Sequence, residues 1–187
     1  MSPELSRRDA VVALGATGVA TAGLGALTWE ALEKGGSANG DDDADGGTTA
    51  TERETLIAAA EALYPSEVTG VDEFVETYVV GRLSGRPEHE AGVRAAARAI
   101  DEYAHDWYDR PYAELDRSDR QAVFDEWGLD AADPDPEGTD RDRVRYYLIN
   151  ELLYAFYSSP TGGDLVGLEN PQGHPGGTGS YQRGPRE

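Results

Sequence analysis

From Thr51 onward the apolar positions recur at three- and four-residue spacing, and no run alternates with period two. The pattern therefore predicts helices and no strands. Leu56, Ala59, Ala60, Leu63 and Tyr64 mark a first helix, opened by a capping box at Thr51-Glu52-Arg53-Glu54 and ended by Pro65. A second helix covers 72–83, with Phe74, Val75, Tyr78 and Val79 inward, before a turn at Ser84-Gly85-Arg86-Pro87. A third, 88–108, is long and alanine-rich. Val93, Ala96, Ala97, Ile100, Tyr103, Ala104 and Trp107 lie on its apolar side, and the small residues there suit close helix approach. Residues 112–115 form a short turn. Ser118-Asp119-Arg120-Gln121 reads as a second capping box, opening a helix that carries Val123, Phe124 and Trp127 and closes at Gly128. An acidic loop, 130–139, leads to a last helix starting near Asp140.

That last helix carries two apolar stripes. Val144, Tyr147, Leu148, Leu152, Ala155 and Phe156 make one; Tyr146, Ile149, Leu153 and Tyr157 make the other. A helix wetted on one face shows a single stripe, so two imply burial by other helices or by a partner. Ser158-Ser159-Pro160 stops the helix, because proline cannot donate to its ladder. The chain from there to Gly184 is rich in glycine and proline and cannot make its own core. The expected architecture is all-α: an irregular bundle of four to five helices with an extended C-terminal arm from about residue 160.

The N-terminal part is of another kind. Ser6-Arg7-Arg8-Asp9 precedes a weakly hydrophobic stretch, 10–27, of Gly, Ala, Thr and Val. Paired arginines before such a stretch are the layout of a twin-arginine export signal, Arg7 and Arg8 being its recognition residues. Residues 1–33 are therefore read as signal, or as an anchor if uncleaved; Ala20-Thr21-Ala22 is a small-x-small site, but it lies inside the apolar run. The other reading is an anchoring helix that merely begins with two arginines. Residues 34–50 form an acidic flexible linker, and 51–187 the helical domain with its arm. Asp41, Asp43, Asp45, Gly46 and Glu52 match the spacing of a calcium loop. No helix enters that loop and Thr48 stands at its pairing position, so a solvated acidic tether is the expectation.

Charge and composition narrow the function. The 187 residues carry 36 acidic against 16 basic side chains, a formal charge of −20, and Lys34 is the only lysine. Such a chain is repelled by nucleic-acid phosphates, and its acidity is the pattern expected of adaptation to a salt-rich cytoplasm. The absence of cysteine excludes disulfides, thiolate zinc sites, Fe–S clusters and a cysteine-anchored haem. His89, His105 and His174 match no metal or hydrolase motif. Asp101 and His105, one helical turn apart, are the alternative seed of a metal or enzymatic site in a free-standing exported helical domain. A membrane-anchored scaffold is a third alternative. Arg143 and Arg145 are expected to pair with the many carboxylates. No catalytic, cofactor-binding or metal constellation emerges.

Three segments carry a family resemblance: Glu54-x-Leu56 through Ala62-Leu63-Tyr64-Pro65; Leu153-Tyr154-Ala155-Phe156-Tyr157-Ser158-Ser159-Pro160 followed by Gly162-Gly163; and Asn170-Pro171-Gln172-Gly173-His174-Pro175-Gly176 with a final Tyr181. Over residues 51–181 the chain resembles the gluconate 2-dehydrogenase subunit 3 family; the acidic linker and the 130–139 insertion depart from it. The resemblance implies a non-catalytic small subunit, exported by the twin-arginine translocase to the extracytoplasmic face of the cell membrane. It implies a large FAD-dependent flavoprotein partner of glucose–methanol–choline type, which holds the FAD and the chemistry, and a cytochrome c subunit that takes the electrons on haem c. No cofactor is implied in this chain. The expected partner interface is Tyr154, Tyr157, Ser158, Pro160, Gly162, Gly163, Asn170, Gly173, Pro175, Gly176 and Tyr181, the arm being wrapped around the flavoprotein.

Overall fold

The structure, a computed structural model, describes residues 2–16 and 48–167. The described residues contain α1 (Arg7–Ala16), α2 (Ala50–Leu63), α3 (Val71–Leu83), α4 (Pro87–Tyr108), a 3₁₀ turn (Tyr112–Glu114) and α5 (Arg117–Glu126). Then comes α6, which runs without a break through Asp140–Val144, a π-helical turn Arg145–Ile149 and Asn150–Ser158; a short α7 (Pro160–Leu165) follows. The architecture is all-α, with no strand among the described residues; one isolated parallel bridge joins Glu4 to Thr69.

The core is where α2, α3, α4 and α6 meet. Tyr64, at the end of α2, is fully buried; its ring stacks on Phe156 at 4.6 Å and meets Phe74 edge-on at 6.4 Å. Its hydroxyl donates to the Leu152 carbonyl at 2.9 Å, giving this buried phenol its partner. Burial without a charged partner pushes its pKa above the ordinary range. The alanines of α4 are buried at Ala96, Ala97 and Ala104, and Gly92 takes the ring of Tyr147 against bare backbone. A Cβ at Gly92 would meet Tyr147 Cδ1 at 2.7 Å. Tyr147 reaches that position from the π-helical turn, where the Asn150 N–H bonds back to the Arg145 carbonyl, one residue further than in an α-helix.

Several expectations shift by local chemistry. The cap of α2 is Thr49, not Thr51. The Thr49 hydroxyl accepts the Glu52 N–H at 3.2 Å, and the Glu52 carboxylate accepts the Thr49 N–H at 2.8 Å. Glu52, the last residue of the calcium-loop pattern, is thereby engaged. It is buried and paired with Arg94 at 3.0 Å and Arg98 at 2.5 Å; the other residues of that pattern lie outside the described residues. The cap of α5 is Asp116, which accepts the Asp119 N–H at 3.0 Å, so this helix begins before Ser118. Trp107 is 71% exposed rather than inward; Tyr103 and Trp127 stack on each other at 4.8 Å beside it. Arg143 and Arg145 make no ion pair among the described residues, and Arg143 Nε is buried without a hydrogen-bond partner. The largest difference follows α6. The helix does end at Ser159, but it restarts at Pro160 as α7, so the chain does not pass into an extended arm there.

Candidate functional site

The corner between α6 and α7 rests on one hydroxyl. Ser159 is buried, with extended backbone (φ −77°, ψ 149°). Its Oγ donates to the Phe156 carbonyl at 2.7 Å and accepts the Gly162 N–H at 3.0 Å, closing one helix and opening the next. Pro160 sits at the first helical position, where its missing N–H leaves nothing unpaired. Gly162 packs directly over the Phe156 carbonyl, whose carbon would lie 2.8 Å from any Cβ placed there.

The corner grips α1. Asp9, buried on α1, accepts the Thr161 N–H at 3.0 Å and lies 2.8 Å from the Thr161 hydroxyl, which also faces the Glu4 carbonyl at 3.2 Å. Its second oxygen takes the Ser6 N–H at 3.1 Å and the Ser6 hydroxyl at 2.5 Å. Burial opposes charge on Asp9, but these hydrogen bonds outweigh it and its pKa falls below the ordinary value. Before α1 the backbone runs along the loop between α2 and α3: Leu5 N–H donates to Thr69 O at 2.8 Å, and Thr69 N–H to Pro3 O at 3.1 Å. Leu5, Ala10, Ala13 and Leu14 are buried in the common core. Gly81 on α3 makes room for Leu14, and Gly70, at φ 73°, leaves space for the Leu5 carbonyl. Arg7 pairs with Glu73 at the surface, Arg8 is exposed, and the Tyr154 hydroxyl donates to the Ala16 carbonyl at 3.0 Å. No helix among the described residues is long and apolar enough to cross a membrane.

Two groups that stand far apart in the sequence are thus neighbours: the Arg7-Arg8 segment and the Tyr154-to-Gly163 motif. Tyr154 and Tyr157 are 41% and 44% exposed, and Leu165 and Val166 are exposed on and just after α7. Ser158, Gly162 and Gly163 are buried in the corner itself, where they shape the surface instead of forming it; Pro160 is half-buried. Asn170, Gly173, Pro175, Gly176 and Tyr181 lie outside the described residues. Sequence reading missed Asp9 and Thr161, whose pairing spans 152 positions.

A second polar constellation lies deeper. Glu151 is the only charged side chain in the last helix between Tyr146 and Ser158. A lone carboxylate on an otherwise apolar helix signals a buried partner, and that signal was available in the sequence. Its Oε1 accepts the Tyr78 hydroxyl at 2.9 Å and Arg82 Nε at 2.5 Å. His89 Nε2 lies 3.3 Å from Oε2, off the direction of a hydrogen bond. Burial works against the Glu151 charge, yet His89, Arg82 and Tyr78 together hold its pKa below the usual carboxylate range. The cavity beside it has room for about one water, so the cluster is a packed tie between α3, α4 and α6 and has no space for a substrate. Glu52 is likewise lowered, its burial overcome by the Thr49 amide and by Arg94 and Arg98. Asp101 accepts the Tyr112 N–H at 2.8 Å and so fixes the turn after α4. His105 is exposed, and no group of three or more metal-ligating side chains occurs among the described residues.

These shifts define a pH response. Each lowered carboxylate contributes stability that is complete above its unfolded-state pKa and is lost as pH falls through its folded value. Acid also relieves the self-repulsion of a −20 chain, so the informative quantity is a difference between variants. Below about pH 4 the wild type should lose more Tm than Glu151→Gln, whose uncharged amide does not titrate. Thermal melts of both at matched salt check this; parallel pH profiles would remove Glu151 from the account.

Fold and site together define a class: a small all-α protein in which the last two described helices close over the N-terminal segment. The family model for gluconate 2-dehydrogenase subunit 3 matches residues 50–176, and the chain belongs to that family. The family's description is that of one subunit of a dehydrogenase complex. No curated protein and no solved structure matches the chain.

Proposed function

We propose that this chain is the non-catalytic small subunit of an exported FAD-dependent dehydrogenase of glucose–methanol–choline type, supporting export, assembly or stability of the catalytic flavoprotein. Membership of the subunit 3 family is the observation that carries the reading. FAD belongs to the large subunit and haem c to a cytochrome subunit, with no cofactor in this chain. The twin-arginine translocase recognises Arg7 and Arg8 and moves folded cargo, so one signal serves a partner that lacks its own. The complex then works at the extracytoplasmic face of the membrane. The high acidity fits a salt-rich cytoplasm, where screening tolerates it.

The partner surface begins at Tyr154, Tyr157, Leu165 and Val166 and continues into residues 168–187. That segment is too poor in apolar residues to make a core of its own, and on this reading it is laid along the flavoprotein. Truncation after Gly167 leaves the α6–α7 corner and its grip on α1 whole. The tagged full-length chain should co-purify a protein with bound flavin, and the chain ending at Gly167 should not. Equal recovery of flavin by both would remove the arm from the interface, and no flavoprotein with either would overturn the reading.

A further inference from the structure

Resting on the export reading above, we propose that residues 3–16 act as a latch: the export signal is held closed against the folded domain by Thr161 and by α3, and must let go before the translocase can use it. The docked segment is read by the domain at every level. Its backbone bridges Thr69, its Asp9 is gripped by Thr161, its Arg7 is paired with Glu73, and its Leu5 and Leu14 enter the core over Gly70 and Gly81.

Docking and membrane insertion exclude each other. The apolar run spans 10–27, and α1 commits residues 10–16 of it to the domain. The 11 residues left, 17–27, would reach only about 17 Å even as a helix, against a hydrocarbon core of about 30 Å. The exposed Arg7–Glu73 pair adds little to the hold, which rests on the buried Leu5, Ala10, Ala13 and Leu14 and on Asp9. The chain therefore has two exclusive states, and whatever loosens the grip of α7 shifts it towards export. The exposed surface of Tyr154, Leu165 and Val166 adjoins that grip, since the Tyr154 hydroxyl is bonded to the end of α1. Binding on this surface is therefore placed to be felt by the signal.

The chain has no cysteine, so Glu4→Cys with Thr69→Cys offers one disulfide across the parallel bridge, where the two backbones lie side by side. The oxidised full-length chain, offered to inverted membrane vesicles carrying the twin-arginine translocase, should be transported at least tenfold more slowly than the reduced chain. Thr161→Val, which leaves the signal untouched, should raise amide exchange across residues 7–16 about tenfold, with α2 to α5 unchanged. A staple that does not form on oxidation, or transport equal in both redox states, overturns the latch. Arg7→Lys with Arg8→Lys separates the two ideas: transport lost in that variant but indifferent to the staple sinks the latch alone. Transport that survives it sinks the export reading, and the latch with it.

Discussion

Glu151→Ala is expected to destabilise the fold by about 3–5 kcal/mol, the usual cost of removing one member of a buried charged cluster. The loss is not that of one contact. It leaves Arg82 charged and half-buried among apolar groups, the Tyr78 hydroxyl without an acceptor, and His89 facing an empty position. Each orphaned group then carries its own desolvation cost. Glu151→Gln keeps an acceptor for Tyr78 and should cost less, while Glu151→Leu with Arg82→Met should recover much of the loss, since matched apolar side chains of similar volume can replace a buried ion pair. Chemical denaturation of the single and double variants measures this; if Glu151→Ala costs under about 1 kcal/mol, the cluster is no tie between α3, α4 and α6.

Gly162→Ala should be nearly as damaging, at about 2–4 kcal/mol, and for a steric reason. The new methyl group would meet the Phe156 carbonyl, which is backbone at the end of a packed helix and cannot swing aside. Relief requires α7 to lift from α6, which breaks the Ser159 cap and moves Thr161 away from Asp9. The prediction is therefore double: a lowered Tm, and raised amide exchange in α1 as well as α7. Gly167→Ala is the control. It sits at φ 77°, and a Cβ there meets no atom of the described residues within 4 Å, so it should cost only the modest strain of a left-handed residue and leave α1 protected. Loss of stability with α1 still protected would show that the corner and α1 are uncoupled.

Much of this was legible before any coordinates. Spacing alone puts Phe74, Val75, Tyr78 and Val79 inward and Val93 and Ile100 on an apolar side, and all are buried. The stop at Ser159 and the close of α5 at Gly128, with φ 68°, follow from proline and glycine chemistry that acts within a few residues. The capping assignments slipped because Thr49 and Thr51, like Asp116 and Ser118, are equally good side-chain acceptors. Which one caps depends on where the helix starts, and Arg94 and Arg98 pull Glu52 into the role at one end. Trp107 lies on the apolar side of α4 by spacing, yet its ring only tilts against Tyr103 at 6.0 Å and stays largely exposed among the described residues.

The one-dimensional pattern by itself determined the helical class, the order of α2 to α6, and the stop at the end of α6, because each depends on contacts within a few residues of chain. Only the tertiary structure decided that Asp9 meets Thr161, that Glu151 gathers Tyr78, Arg82 and His89, and that the N-terminal segment shares the domain's core. Those pairings join positions 62 to 152 residues apart, where no periodicity carries information; packing chose them, because a buried carboxylate keeps its charge only where donors converge on it.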